Sequence, residues 1–145
     1  MPQVQVSQTI NAPQAVVFDA VTNLSKLHET SPAIVGVEFL TEQKSGVGTR
    51  FIETRKHGKQ EMKTELEVTE YREPEHARMV ADSHGTIWDT VFTVDGDANQ
   101  CTLTLTMDAR AHKLMGKIMN TLMKGMFRKG MAKHLDSVKA HCESL

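Results

Sequence analysis

In "TRFIETRK", Phe51, Glu53 and Arg55 alternate. A strand that turns Phe51 inward therefore brings a carboxylate and a guanidinium to the same side. Inside an apolar pocket such a pair would bond internally and could orient a carbonyl or polarise an enol. In the opposite register, or with enough twist, both groups would face water instead. Glu53 is thus a weak candidate for a catalytic base, and the register of the 49–56 strand decides its standing. Thr90 adds a hydroxyl to the same interior if Trp88 and Phe92 point inward. Asp89, Arg78 and Asp82 then belong to the solvent face.

Other chemistries find less support. The seven histidines are scattered, with no H-E-x-x-H and no Cys/His pair at ligand spacing, so no metal or other cofactor is expected. His134 and His141 share a helix face and read as solvated. "SGVGT" leads into a strand, not a helix N-terminus, so it is a hairpin turn and not a phosphate cradle. No G-x-S-x-G is present, and Cys101 and Cys142 read as small hydrophobes. With no catalytic motif matched, the chain leans away from an enzyme.

The elements that must position these groups follow from hydrophobic period. "QVQVSQTI" alternates, with Val4, Val6 and Ile10 on one face. "NAPQAVVFDAVTNLSKLHE" changes to helical spacing, with Pro13 in the first turn and Asn23 placed to cap a second short helix that ends before Pro32. From Ile34 to Met107 the pattern is strand, broken at "KSGVG", "HGKQ", "REPE", "HG" and "DGDANQ". "EMKTELEVTEY" puts Met62, Leu66 and Val68 on one face and glutamates on the other, a half-buried antiparallel strand. From roughly His112 the helical period returns for about thirty residues. One strand, two short helices, six strands and one long helix argue for an α+β fold with helices on one face of an antiparallel sheet.

Bulk properties agree with a single domain over residues 1–145. A chain of 145 residues that is 39% hydrophobic and 24% charged can bury a core without staples. The net charge of −1 gives no pull toward nucleic acid or anionic membrane, and aromatics are only 5% of residues, so nucleic-acid binding is not expected. No run reaches transmembrane length, the start lacks a signal peptide, and the two cysteines form no C-x-x-C. A reducing cytoplasm is the expected setting.

Taken in order, "INAPQAVVFDAVTNLSKL", "SPAIVGVEFL", "GVGTRF", "ELEVTEYREPEHARM" and "LDSVKAHCE" resemble the helix-grip superfamily abbreviated SRPBCC. It includes START lipid-transfer domains, the major birch pollen allergen group and bacterial polyketide-cyclase/dehydrase-like proteins. The resemblance covers the whole chain and implies a curved antiparallel sheet of about seven strands, in the order β-α-α-β6-α, gripping a long C-terminal helix. Many relatives carry a tryptophan after the second short helix. This chain has "LHETSP" there, so His28 would make the pocket mouth more polar.

Five of the nine methionines lie between Lys113 and Met131. On a wheel of about 100° per residue, Met115, Ile118, Met119, Leu122, Met123 and Met126 share a face opposite Lys113, Lys117, Lys124 and Arg128. Beyond Gly130 the stripe moves to Met131, Leu135, Val138 and Cys142, which suggests a bend at Gly125 or Gly130. Core packing, a membrane-surface helix and a partner groove all compete, but the resemblance favours an adaptable cavity wall. It implies binding or transport of a small hydrophobic or amphipathic ligand by Phe51, Met62, Leu66, Trp88, Thr90, Phe92, Leu103, Leu105, Met115, Met119, Leu122 and Met126. The alternatives are a cyclase- or dehydrase-like enzyme acting on a polyketide-type carbonyl compound, and a regulatory module that binds a protein partner. Ligand identity and oligomeric state depend on packing at the ångström level and stay open at this point.

Overall fold

Alternation in the strands and a change of period at each end build the architecture. The computed structural model describes residues 3–83, 85–111, 118 and 122–145. Strand β1 (Gln3–Ile10) is followed by helix α1 (Gln14–Thr22), a 3-10 turn (Leu24–Lys26) and the short helix α2 (Leu27–Thr30). Strands β2 (Ile34–Phe39), β3 (Arg50–His57), β4 (Gln60–Arg72), β5 (His76–Ser83), β6 (Thr86–Gly96) and β7 (Cys101–Ala111) come next, and helix α3 (Lys124–Glu143) closes the chain. The strands form one antiparallel sheet of seven in the order β1-β7-β6-β5-β4-β3-β2. This is the helix-grip α+β fold. Among the described residues no helix is long and apolar enough to cross a membrane.

Local chemistry explains the boundaries. Pro13, in extended geometry at φ −61° and ψ 145°, stands just before α1 and not inside its first turn. Thr22, the last residue of α1, donates from its hydroxyl to the Phe18 carbonyl at 2.7 Å. Register shifts at Ile34/Gly36 in β2 and at Val68/Glu70 in β4 mark bulges, which strengthen the twist that curls the sheet. Met123 sits at φ −91° and ψ 3° immediately before α3. The interruption in the C-terminal helical segment is therefore at Met123, while Gly130 lies inside regular helix.

One end of the concave face is packed solid. Phe18 meets Tyr71 edge-on at 5.3 Å, and Ile10, Phe51, Leu103 and Val17 have no exposed surface. Helix α3 buries Met131, Leu135, Val138 and Cys142 there, the i, i+4, i+7, i+11 spacing of a single stripe. It runs beside edge strand β1 and occupies that edge with side chains. Lys139 Nζ donates to the Thr9 carbonyl at 2.8 Å, and Gln8 bonds Asp136 at 2.9 Å. The Lys139 bond uses a backbone carbonyl of an edge that would otherwise pair with another chain.

The convex face carries a charge network that sequence alternation placed in solvent. Arg78 grips Asp89 with Nε at 2.8 Å and Nη2 at 2.6 Å, and also reaches Glu70. Arg110 spans Asp89 and Asp108, which stand directly opposite each other on β6 and β7. Asp89 does face outward, but it is only 9% exposed because the two arginines lie over it. Arg78, and to a lesser extent Arg110, hold its carboxyl below the usual carboxylate range against the opposing cost of burial.

Two glycines provide opposite tests of this fold. A Cβ on Gly96 would lie 2.4 Å from the Gln100 carbonyl oxygen and 2.5 Å from Cys101 Cα, both backbone atoms that cannot give way. Gly96→Ala should cost about 2 kcal/mol or more. Gly130 is helical and has nothing within 4 Å of an added Cβ, so Gly130→Ala should stabilise by about 0.5–1 kcal/mol. Urea denaturation midpoints of the two variants against the parent protein check both signs.

Candidate functional site

Beyond the packed end, the concave face is unevenly covered. Leu66 on β4, Trp88 and Thr90 on β6 and Met107 on β7 are inward by alternation yet only half-buried. Thr90 stands opposite Met107 on one side and Met79 on the other. Trp88 is met by Phe127 from the first turn of α3, edge-on at 5.1 Å. That contact seats the N-terminal end of the helix on the sheet and leaves a surface of mixed apolar and hydroxyl character around it.

Strand β3 runs from this interior toward water. Phe51 has no exposure, the Glu53 side chain 14% and the Arg55 side chain 36%. Their cross-strand partners on β4 are Leu66, Thr64 and Met62, and on β2 Phe39, Val37 and Ile34. Arg55 Nε donates to Glu53 Oε1 at 2.5 Å. This is the register in which the pair shares the concave side with Phe51. Beside it, between β2, the 3-10 turn and α2, lies an open groove of about 310 Å³ lined by Leu24, His28, Ile34, Gly36, Val37 and Phe39 among others. His28 and Ser25 are the polar residues of its otherwise apolar lining.

Helix α3 contributes a residue that the histidine spacing alone had placed in water. His134 is one position before Leu135 on the buried stripe, and its Nδ1 is sealed from solvent without a hydrogen-bond partner. Burial, helped by the positive charge of Arg55, pushes its imidazole from 6.5 down to about 4, so the ring is neutral at pH 7. Including His134 in the i, i+3, i+4, i+7 set Met131, His134, Leu135, Val138 would have found it; treating it only with His141 hid it. Phe127 was missed for a similar reason, because the methionine-rich stripe drew the helix face one position away.

The candidate lining divides accordingly. Leu66, Trp88 and Thr90 border the half-covered surface. Phe51, Phe92, Leu103 and Leu105 are buried core. Met62, Leu122 and Met126 are 51%, 80% and 58% exposed. For Leu122 and Met126 this corrects the expected placement: α3 begins after the turn at Met123, and its inward face is Phe127, Met131, Leu135. Met62 lies near the outer end of β4, opposite Arg55. Met115 and Met119 lie outside the described residues. Of the clustered methionines that are described, Met131 is core and Met123 is half-buried. Cys101 and Cys142 are buried free thiols, pushed upward chiefly by burial. Among the described residues no group of His, Cys, Asp or Glu is arranged to hold a metal ion.

Comparison with known proteins gives the same architecture. The model of the family described as polyketide cyclase / dehydrase and lipid transport matches residues 1–143. No curated protein sequence matches the chain. Among solved structures, TTHA0849 of Thermus thermophilus is 14% identical with a TM-score of 0.78, over 99% of this chain and 98% of that one. The di-domain ARO/CYC protein BexL is 12% identical with a TM-score of 0.78; the match covers 99% of this chain and 47% of BexL, so this chain spans about half of it. Norcoclaurine synthase of Thalictrum flavum is 12% identical with a TM-score of 0.71, over 95% and 84% of the two chains. These likenesses establish the fold.

The neutral state of His134 has a measurable consequence. Its folded value lies below its unfolded one, so between pH 6.5 and about 4 the unfolded chain takes up a proton that the folded one refuses. Stability should fall by up to about 3 kcal/mol as pH drops through that window, and this loss should be missing in His134→Gln. From about pH 4.5 downward the lowered Glu70 and Asp89 carboxylates also begin to lose their stabilisation, equally in both proteins. Chemical denaturation of the pair at several pH values checks the difference between the curves.

Proposed function

The chain belongs to the polyketide cyclase / dehydrase and lipid transport family, an SRPBCC-type group, and on that premise we propose that it reversibly binds a small hydrophobic or amphipathic molecule between its sheet and α3. The observation that carries this reading is the contrast within one concave face. Phe51 and Leu103 are sealed, while Leu66, Trp88, Thr90 and Met107, inward by the same alternation, keep accessible surface. Apolar surface that water still reaches gains about 25 cal/mol per Å² when a ligand covers it, before ordering costs are subtracted. The neighbouring groove, at about 310 Å³, is of a size that suits a small molecule. Free, buried cysteines fit a reducing cytoplasm as the place of action.

A second reading, turnover of a carbonyl compound, is favoured by one observation: Glu53 and Arg55 pair on the concave side, and the Arg55 charge acts on the His134 imidazole, whose Nδ1 has no partner. In that reading Glu53 or His134 moves the proton and Arg55 stabilises the developing oxyanion. Glu53→Gln should then abolish turnover, and unchanged kinetics would remove Glu53 from that role.

Native mass spectrometry of gently purified protein, set against its denatured mass, tests the binding reading. A releasable extra mass of small-molecule size is expected. Titration of that compound should shift Trp88 emission, and Leu66→Trp, which fills the space, should weaken binding by about tenfold or more. A clean mass together with no Trp88 response to a panel of amphiphiles would overturn it.

A further inference from the structure

The polarity of the concave face has a direction, and that direction says which part of a ligand goes where. Along β3 the exposure rises from Phe51 to Glu53 to Arg55, from sealed core to a half-open rim. Apolar surface at Leu66 and Trp88 lies on the inner side, and charge lies on the outer. An amphiphile entering this space buries its tail against the former and leaves its head beside the latter.

Arg55 is only partly used by the protein. Its Nε is bonded to Glu53, and among the described residues its Nη1 and Nη2 have no protein partner. A guanidinium has two edges that bind in parallel; Glu53 occupies one and holds the fork in place, leaving the other free. His134 on α3 lies near enough for the Arg55 charge to act on its ring, and its Nδ1 bonds nothing. Buried polar atoms without partners are costly, and those that persist call for an explanation. A neutral imidazole next to a cation adds a directed donor or acceptor without repelling it.

The geometry points to a carboxylate as the head group of the ligand, held bidentately by the free Nη1–Nη2 edge of Arg55 with His134 as the neighbouring hydrogen-bond partner. This deepens the binding reading and rests on it. A neutral carbonyl or hydroxyl can occupy only part of the fork, whereas a carboxylate takes both parallel N–H bonds. Because Glu53 already balances the Arg55 charge, discrimination comes from the paired, directed bonds and not from net positive charge. The ligand class is therefore a monocarboxylate with an apolar body.

Titration calorimetry with decanoate and with methyl decanoate separates head-group recognition from tail burial, with Trp88 emission as a second readout. The protein should bind decanoate at least about tenfold more tightly than the ester. Arg55→Met should erase that preference and leave ester binding within about threefold of the parent protein. Arg55→Met also strands the Glu53 carboxylate, so the double variant Glu53→Gln/Arg55→Met, which removes both charges, provides the same test in a chain with no unpaired carboxylate. His134→Leu should reduce the preference several-fold without touching ester affinity. Equal binding of acid and ester, or a preference that survives loss of Arg55, overturns the head-group assignment while the cavity reading stands. A preference unchanged in His134→Leu removes His134 from it. Binding of neither compound overturns the cavity reading and the assignment with it.

Discussion

A curled sheet of seven strands has a concave face broader than one helix can cover. A helix with side chains is about 10–12 Å across, whereas neighbouring strands are spaced about 4.8 Å apart. Helix α3 lies along β1 and spends its apolar stripe at the end where α1 and α2 also pack. Helix α1 packs against β6 and β7, and coverage of the face between these helices stays incomplete. Everything distinctive about the molecule follows from that mismatch. Leu66, Trp88, Thr90 and Met107 are inward without being sealed, and Phe127 reaches across to Trp88 to hold the helix end in place.

The two faces of the same sheet solve the charge problem differently. On the convex side Asp89 and Asp108 are opposed across one ladder, an arrangement that repels unless bridged. Arg78 and Arg110 bridge it and shield the carboxylates, Arg78 through all three of its nitrogens and Arg110 through Nη1. On the concave side there is one carboxylate for one guanidinium, and the guanidinium keeps an edge in reserve. Near it, His134 also has a ring nitrogen without a partner. Its ring is neutral because it is buried near a cation, so it offers hydrogen bonding without charge.

Methionine-rich helices invite a reading as cavity walls, since an unbranched thioether adapts to many shapes. Here the described part of the segment does something more ordinary. Met131 fills core, Met126 and Leu122 are exposed, and the inward position at the head of α3 belongs to an aromatic. Composition named a stretch with unusual chemistry, but side-chain type does not say which way a helix is rotated.

The amino-acid sequence by itself determined the elements and their order. Strict alternation in β1, β4, β6 and β7, the change of period on either side, and turn residues such as Gly46, Gly58 and Gly85 at positive φ were readable because they are local. Local alternation also placed Trp88, Thr90 and Phe92 on one side and Asp89 on the other. The face of Glu53 and Arg55 was conditional on Phe51, and only pairing with β2 and β4 resolved it. Tertiary structure alone decided how far each inward residue is covered, because coverage depends on where α3 starts and how it is turned. Leu122 and Met126, on either side of the turn at Met123, are exposed, and Phe127 takes the inward position. The same rotation carried His134 inward to the side where Arg55 stands, across 79 residues of sequence that no local pattern spans. Strand faces repeat every two residues and survive small errors, whereas the angle of a helix against a sheet is set by long-range packing that no short stretch encodes.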